Sequence, residues 1–136
     1  MTSTAVAVLD ASALLAYVLN EPGAEQVAAA IRQRAAIGAV NWAEVLSKLS
    51  DRGVRPDHAI RSLAHQGMLG EGLIVHPVDE ATAREIALLR PLTKSRGLGI
   101  GDRACLALAR ELDLPVLTTD RAWARLGLGV NIRVIR

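Results

Sequence analysis

The chain contains no phenylalanine, and its few aromatic residues, 2% of the total, are Tyr17, Trp42 and Trp123. Modules that bind single-stranded nucleic acid usually stack bases on aromatic platforms, and this chain has almost none to offer. If it handles RNA, phosphate and metal contacts must dominate. The single cysteine, Cys105, cannot form an internal disulfide; it sits in the run ACLALARELD, which points to a small buried apolar side chain. No apolar run approaches the ~20 residues of a membrane span. The N-terminus also lacks the basic start and long apolar core of a signal peptide, so a cytoplasmic protein is expected. His58, His65 and His76 show no zinc-ligand spacing. The glycines from Gly97 to Gly101 match neither a P-loop nor a dinucleotide fingerprint, since no strand precedes them and no Lys-Ser/Thr pair follows.

What is present suits one domain, residues 1–136, because 136 residues that are 51% hydrophobic supply a proper core. The formal net charge is only +2, yet the basic residues are nearly all arginine, which suits bidentate phosphate contacts better than lysine does. This permits nucleic acid without demonstrating it.

The stretch AVAVLDASALLAY organises the reading. Ala5 to Leu9 is a continuous apolar run that predicts a strand buried on both faces, and Leu14, Leu15 and Val18 continue as the apolar stripe of a helix. Asp10 falls between them, at the mouth of a strand expected to be central. Further strands are expected at Ala36 to Val40, Leu73 to Val78, Pro115 to Thr118 and Ile132 to Ile135. Helices are expected over Ala24 to Arg34, from Asn41 to near Gly53, over Asp57 to Met68 behind Pro56, over Asp79 to Lys94 and over Asp102 to Leu112, with a short one near Asp120. Pro91 must kink or end the helix from Asp79 to Lys94, and Ser95 to Gly101 is expected as loop. Short apolar strands alternating with helices predict an α/β sandwich with a parallel sheet covered on both faces.

Four acids occupy related places in that plan: Asp10 after the first strand, Glu44 just after the second, Asp102 at a helix start and Asp120 after VLTT. In right-handed crossovers, helix starts and strand ends share one edge of the sheet, where open α/β sheets bind ligands. Each acid alone has a structural explanation. Asp10, Asp102 and Asp120 suit helix caps or first turns; Asn41 to Glu44 has capping-box spacing, and Glu44 can pair with Lys48. Asp79 is assigned as a helix cap. Converging carboxylates, however, repel one another unless a cation joins them. Mg²⁺ or Mn²⁺ held by Asp10, Glu44, Asp102 and Asp120 would activate a water against a phosphodiester. Ser12, Thr118 and Thr119 are auxiliary candidates for metal waters or phosphate oxygens, and Arg96, Arg103 and Arg121 for guiding a phosphate backbone.

With VLDASALLAYVLNEPGAE at its start, VNWAEVLSKL around Glu44 and GIGDRACLALARELDLPVLTTDRAW across Asp102 and Asp120, the chain resembles the PIN-domain nucleases, specifically the VapC-like toxins of toxin-antitoxin pairs. The resemblance spans essentially the whole chain. It implies a three-layer α/β/α fold with a five-stranded parallel sheet, Mg²⁺- or Mn²⁺-dependent endoribonuclease activity, a homodimer and a cognate VapB-like antitoxin. By position, Asp10, Glu44, Asp102 and Asp120 match the family's four acids, and the helices from Asn41 to Met68 match the region that commonly grips the antitoxin. The alternative is a non-catalytic phosphoacceptor or binding module, in which Asp79 would be the acceptor. That pattern fits poorly, because Asp10 is followed by Ala11 rather than a second acid and the last strand offers only arginines.

Overall fold

The computed structural model describes residues 4–136. Ala7, Val8 and Leu9 form β1 (Ala7–Leu9) and are all buried. Ala7 and Leu9 enter one core and Val8 the other, the period-two alternation of a strand covered on both faces. Its parallel neighbours are β2 (Ala35–Gly38) and β4 (Val116–Thr118), with Leu9 opposite both Ile37 and Leu117. β3 (Leu73–His76) and β5 (Ile132–Val134) form the edges, giving the order β3-β2-β1-β4-β5 with every pairing parallel. β1 is therefore central, as its apolar run predicts.

Four helices cover one face: α1 (Ala11–Val18), α2 (Ala24–Gln33), α3 (Ala39–Asp51) and α4 (Pro56–His65). Leu14, Val27, Val45, Leu49 and Leu63 from these helices pack on Leu9 and Ile37. Opposite lie α5 (Glu80–Leu88), the short α6 (Arg90–Thr93) and α7 (Ile100–Leu112). There Ile86, Leu89, Leu106 and Trp123 pack on Val8 and Val116. The result is the expected three-layer α/β/α sandwich. Cys105 is fully buried in this second core, as a small apolar residue would be. Among the described residues no helix is long and apolar enough to cross a membrane.

Of the boundaries that differ from expectation, two bear on the site. β2 ends at Gly38 and α3 begins at Ala39, so Ala39 and Val40 are helical rather than strand. An apolar pair at a strand–helix junction satisfies either periodicity, and the burial of Asn41 inside the first turn decides for helix. Asn41 consequently caps nothing, and the capping box suggested by its spacing to Glu44 does not form. Similarly, α7 begins at Ile100 with Gly99 in the cap position, which makes Gly101 helical and Asp102 the third residue of the helix. Pro91 behaves as expected: α5 stops at Leu88, and Pro91 becomes the second residue of α6, where its missing N–H costs no bond. Asp79 caps α5, accepting from Thr82 N at 2.8 Å and from Thr82 Oγ1 at 2.9 Å. The expected short helix near Asp120 is a 3-10 turn, Arg121–Arg125.

Sheet and helix layers meet closely where α2 passes the start of β3. A Cβ on Gly72 would lie 2.7 Å from the backbone oxygen of Ile31 and 2.8 Å from its Cγ2. A backbone atom cannot swing away as a side-chain end can. Gly72→Ala is therefore expected to destabilise the fold by about 1–3 kcal/mol, the usual cost of overpacking. Urea unfolding checks this, and an unchanged midpoint would show that α2 gives way easily.

Candidate active site

Asp10 follows β1 directly and is only 6% exposed. It does cap α1, accepting from Ala13 N at 2.8 Å. The same oxygen, Oδ1, accepts from Ser12 Oγ at 2.7 Å, and Oδ2 accepts from Thr118 Oγ1 of β4 at 2.5 Å. Thr118 and Ser12 are held in turn: Asp120 N donates to Thr118 Oγ1 at 3.1 Å, and Thr119 N donates to Ser12 Oγ at 3.0 Å. The backbone adds Asp10 N to Leu117 O at 3.2 Å. Cap and site residue are thus one role here, with Asp10 fixed by three donors from two elements.

The other three acids arrive from separate elements at the same edge. Asp10, Glu44, Asp102 and Asp120 all line one cavity of about 220 Å³, together with Ser12, Asn41, Lys48 and Trp123 among others. Their surroundings differ. Asp102 is half-buried, while Glu44 and Asp120 are exposed. Asp120 heads the 3-10 turn and accepts from Ala122 N at 3.0 Å. Glu44 Oε1 accepts from Asn41 Nδ2 at 2.9 Å, so its partner is Asn41, three residues earlier on α3, and not Lys48. A larger depression of about 740 Å³ between α5 and α7 mixes Glu80, Arg84, Glu85, Arg110 and Glu111, and gathers no charge of one sign.

Burial pushes the Asp10 carboxyl above its ordinary value of 3.8; donation from Thr118, Ser12 and Ala13 opposes the rise, and the charge of Asp102 adds to it. Asp102 is raised first by burial, against donation from the Gly99 region, and further by the charge of Asp120. Cys105, beneath the site, is pushed well up by burial and by the charges of Asp10, Asp102 and Glu44. This leaves its thiol protonated and inert. The field at this edge is therefore negative and partly desolvated.

Among the described residues, no three Asp, Glu, His or Cys side chains stand close enough to hold a metal ion as they are. The donor chemistry nonetheless fits a hard divalent cation, since every titratable acid lining the cavity offers carboxylate oxygen. The upward pull on Asp10 and Asp102 is also the penalty that a cation would relieve.

The arginines expected near the site are committed elsewhere. Arg103 Nη1 donates to Ile86 O at 3.0 Å, Arg121 Nε to Arg136 O at 3.1 Å and Arg96 Nη2 to Arg125 O at 3.0 Å, and none of the three lines the acidic cavity. Its cation is Lys48 instead. Asp79 and the three histidines lie outside it as well. Sequence reasoning missed Asn41 as a lining residue of the cavity, and Gly101 as the residue whose backbone oxygen accepts from it. Asn41 had a signal, since it stands one helical turn before Glu44 on the same face; Gly101 had none.

The PIN domain family model matches residues 7–128. No curated protein matches the chain. Solved structures with similar folds include VapBC-1 from nontypeable Haemophilus influenzae, 17% identical with a TM-score of 0.69 over 94% of this chain and 96% of that one. DNA-bound VapBC from Salmonella typhimurium is 18% identical with a TM-score of 0.68 over 98% of each chain. VapBC-5 from Mycobacterium tuberculosis is 27% identical with a TM-score of 0.57, over 97% of this chain and 98% of that one. The family match runs from the first residue of β1 past the 3-10 turn and takes in all four acids; the chain belongs to the PIN domain family.

Proposed function

We propose that the chain is a metal-dependent endoribonuclease, the toxin of a toxin-antitoxin pair, whose active centre is the cavity of Asp10, Glu44, Asp102 and Asp120. The observation that carries this reading is the convergence of four acids from four elements on one cavity, where burial and mutual charge hold Asp10 and Asp102 above the ordinary carboxylate range. Capping accounts for Asp10 and Asp120 but not for the meeting of all four. Asp10, Glu44, Asp102 and Asp120 would hold Mg²⁺ or Mn²⁺, and the ion, when bound, would supply an activated water and neutralise charge on the scissile phosphate. Within the chain, Thr118 and Ser12 orient the Asp10 carboxylate, and Lys48 brings the cavity its own positive charge.

Family membership supports nuclease chemistry, and the VapBC complexes of the same fold support an antitoxin partner and a toxin's place in the pair. A mostly apolar groove lined by Tyr17, Val18, Leu49, Val54, Ala59 and Leu63 supports the region from Asn41 to Met68 as the place where that partner docks. We further propose a homodimer, a single domain and a cytoplasmic site of action. The phosphoacceptor alternative loses ground because Asp79 is spent on capping α5, which holds its carboxyl below the ordinary range, and it stands apart from the acidic cavity.

Purified protein freed of any antitoxin is expected to cleave RNA with Mg²⁺ or Mn²⁺ and to stop when EDTA is added. A gel assay on total RNA checks this; cleavage that persists in EDTA would overturn the metal dependence.

Asp10→Asn should abolish cleavage while making the protein more stable at neutral pH. Because the folded-state carboxyl is raised above 3.8, ionising it costs the folded state. That cost is absent below the unfolded value and grows as pH rises through the folded one, so the variant's advantage should fade on acidification. Thermal unfolding in EDTA at about pH 7 and about pH 4 measures it. A variant less stable than wild type at neutral pH would show that Asp10 is retained for structure.

A further inference from the structure

One side chain lining the cavity, Asn41, joins α3 to α7. Asn41 is 1% exposed, and its Nδ2 donates to Glu44 Oε1 and to the backbone oxygen of Gly101, both at 2.9 Å. Both neighbours are acceptors, so both amide protons are used and the orientation of the amide is fixed. Its Oδ1, by contrast, is buried with no partner. A buried acceptor left unpaired weakens a fold, and an apolar side chain of similar size would avoid the loss. Packing alone therefore does not explain an asparagine here.

Gly101 makes the second half of the contact. A Cβ at this position would lie 2.6 Å from both carboxylate oxygens of Glu44. The residue is helical, and no left-handed backbone demands glycine there. Within a helix glycine is less favourable than alanine, so this too is a local loss. Both losses converge on one carboxylate.

We propose that Asn41 and Gly101 are positioning residues for Glu44. Asn41 aims one carboxylate oxygen, and the missing Cβ at Gly101 lets the carboxylate lie against the first turn of α7, one residue before Asp102. An exposed glutamate on a helix otherwise samples many rotamers. The clamp fixes Glu44 relative to Asp102 by tying it to the helix that carries Asp102. Neither residue touches substrate; both act through Glu44. This inference rests on reading the cavity as the nuclease centre and adds two residues to it.

The test compares Gly101→Ala and Asn41→Ala, each alone and combined with Glu44→Ala. Three properties are measured: RNA cleavage with Mn²⁺, Mn²⁺ binding without RNA from the paramagnetic resonance of the free ion, and thermal unfolding. Gly101→Ala should unfold no earlier than wild type, because the clash falls on a movable side-chain end, yet lose about 10- to 100-fold in cleavage or Mn²⁺ affinity, the usual range for residues that orient ligands. In the Glu44→Ala background the added methyl should cost nothing further, since residues acting through one group are not additive. Gly101→Ala combined with Glu44→Asp should be no worse than Glu44→Asp alone, because the shorter acid withdraws from the methyl. Asn41→Ala should weaken Mn²⁺ binding in the same direction; if it does not fold, the Gly101 series decides. The proposal is overturned if Gly101→Ala binds Mn²⁺ and cleaves as wild type does, or if its loss is equally large without Glu44. Wild-type protein that binds Mn²⁺ but cleaves no RNA would sink the nuclease reading alone, and the clamp would then stand or fall on Mn²⁺ affinity.

Discussion

A carboxylate that is 6% exposed has surrendered most of its hydration, and only directed donors restore part of it. Asp10 receives three, from Ala13 N, Ser12 Oγ and Thr118 Oγ1. Those donors are themselves anchored, since Thr118 and Ser12 accept from the backbone of Asp120 and Thr119. The network continues the β1–β4 pairing beyond its last register pair, Leu9 with Leu117, and carries it into α1 and the turn that follows β4. Burying Asp10 thus links the sheet centre to the loops at its edge. The donors still do not win: burial remains the larger effect, and the carboxyl stays above its ordinary range. A fold under selection for stability alone has no reason to keep such a group, since an amide there would avoid the burial of charge. Under the proposed function the charge is kept for the chemistry of the cavity.

The remaining acids are less buried, in a graded way. Asp102 is half-buried in the first turn of α7, where the helix dipole favours it, whereas Glu44 and Asp120 are exposed. Burial thus grades from Asp10 through Asp102 to the two exposed acids, and Glu44 is held by Asn41 rather than by burial. Among the described residues no three of these side chains form a ready-made metal-holding group, although four carboxylates line one cavity. The arrangement also sets a local field against the global one. The chain is basic, with a sequence pI of about 9.2, yet its cavity gathers acids, and the arginines nearest in sequence are tied to carbonyl oxygens instead. A polyanion would be drawn to the surface and repelled at the cavity, and the proposed divalent cation, held there, would reconcile the two.

Most of this plan is legible in the sequence because its signals are strong and local. A five-residue apolar run cut off by an acid reads as a buried strand meeting a helix, and β1 lies at the centre with Asp10 as both cap and cavity wall. Pro91 and Asp79 act through fixed φ and a short side chain, and both behave as their chemistry dictates. What fails is the reading of boundaries where composition is ambiguous. Ala39 and Val40 suit a strand or a helix equally, and the difference moves Asn41 from a strand end into a helical turn. The glycines before Asp102 read as loop because glycine weakens helices, and that propensity is overruled at Gly101 by a tertiary contact with Glu44. Sequence distance puts Arg103 near the acids, but helical geometry turns it toward the carbonyl of Ile86 on α5.

The clamp shows why such features escape a one-dimensional reading. Patterns of sequence report side chains that are present, and their periodicity reports the faces on which they lie. Gly101 matters through a side chain that is absent: two helices 60 residues apart in the chain approach closely enough that a carboxylate occupies the place of a Cβ. No local propensity encodes that space, because it exists only once α3 and α7 have packed. The order of causes then runs backwards from the usual one. Packing of α3 against α7 comes from Val40 and the apolar face of α7, it brings Glu44 to Gly101, and only then does glycine at a helical position become the better residue. Local rules are broken where a longer-range requirement competes with them, and at this edge of the sheet the broken rules, an unpaired amide oxygen, a helical glycine and a buried carboxylate, all surround the same four acids.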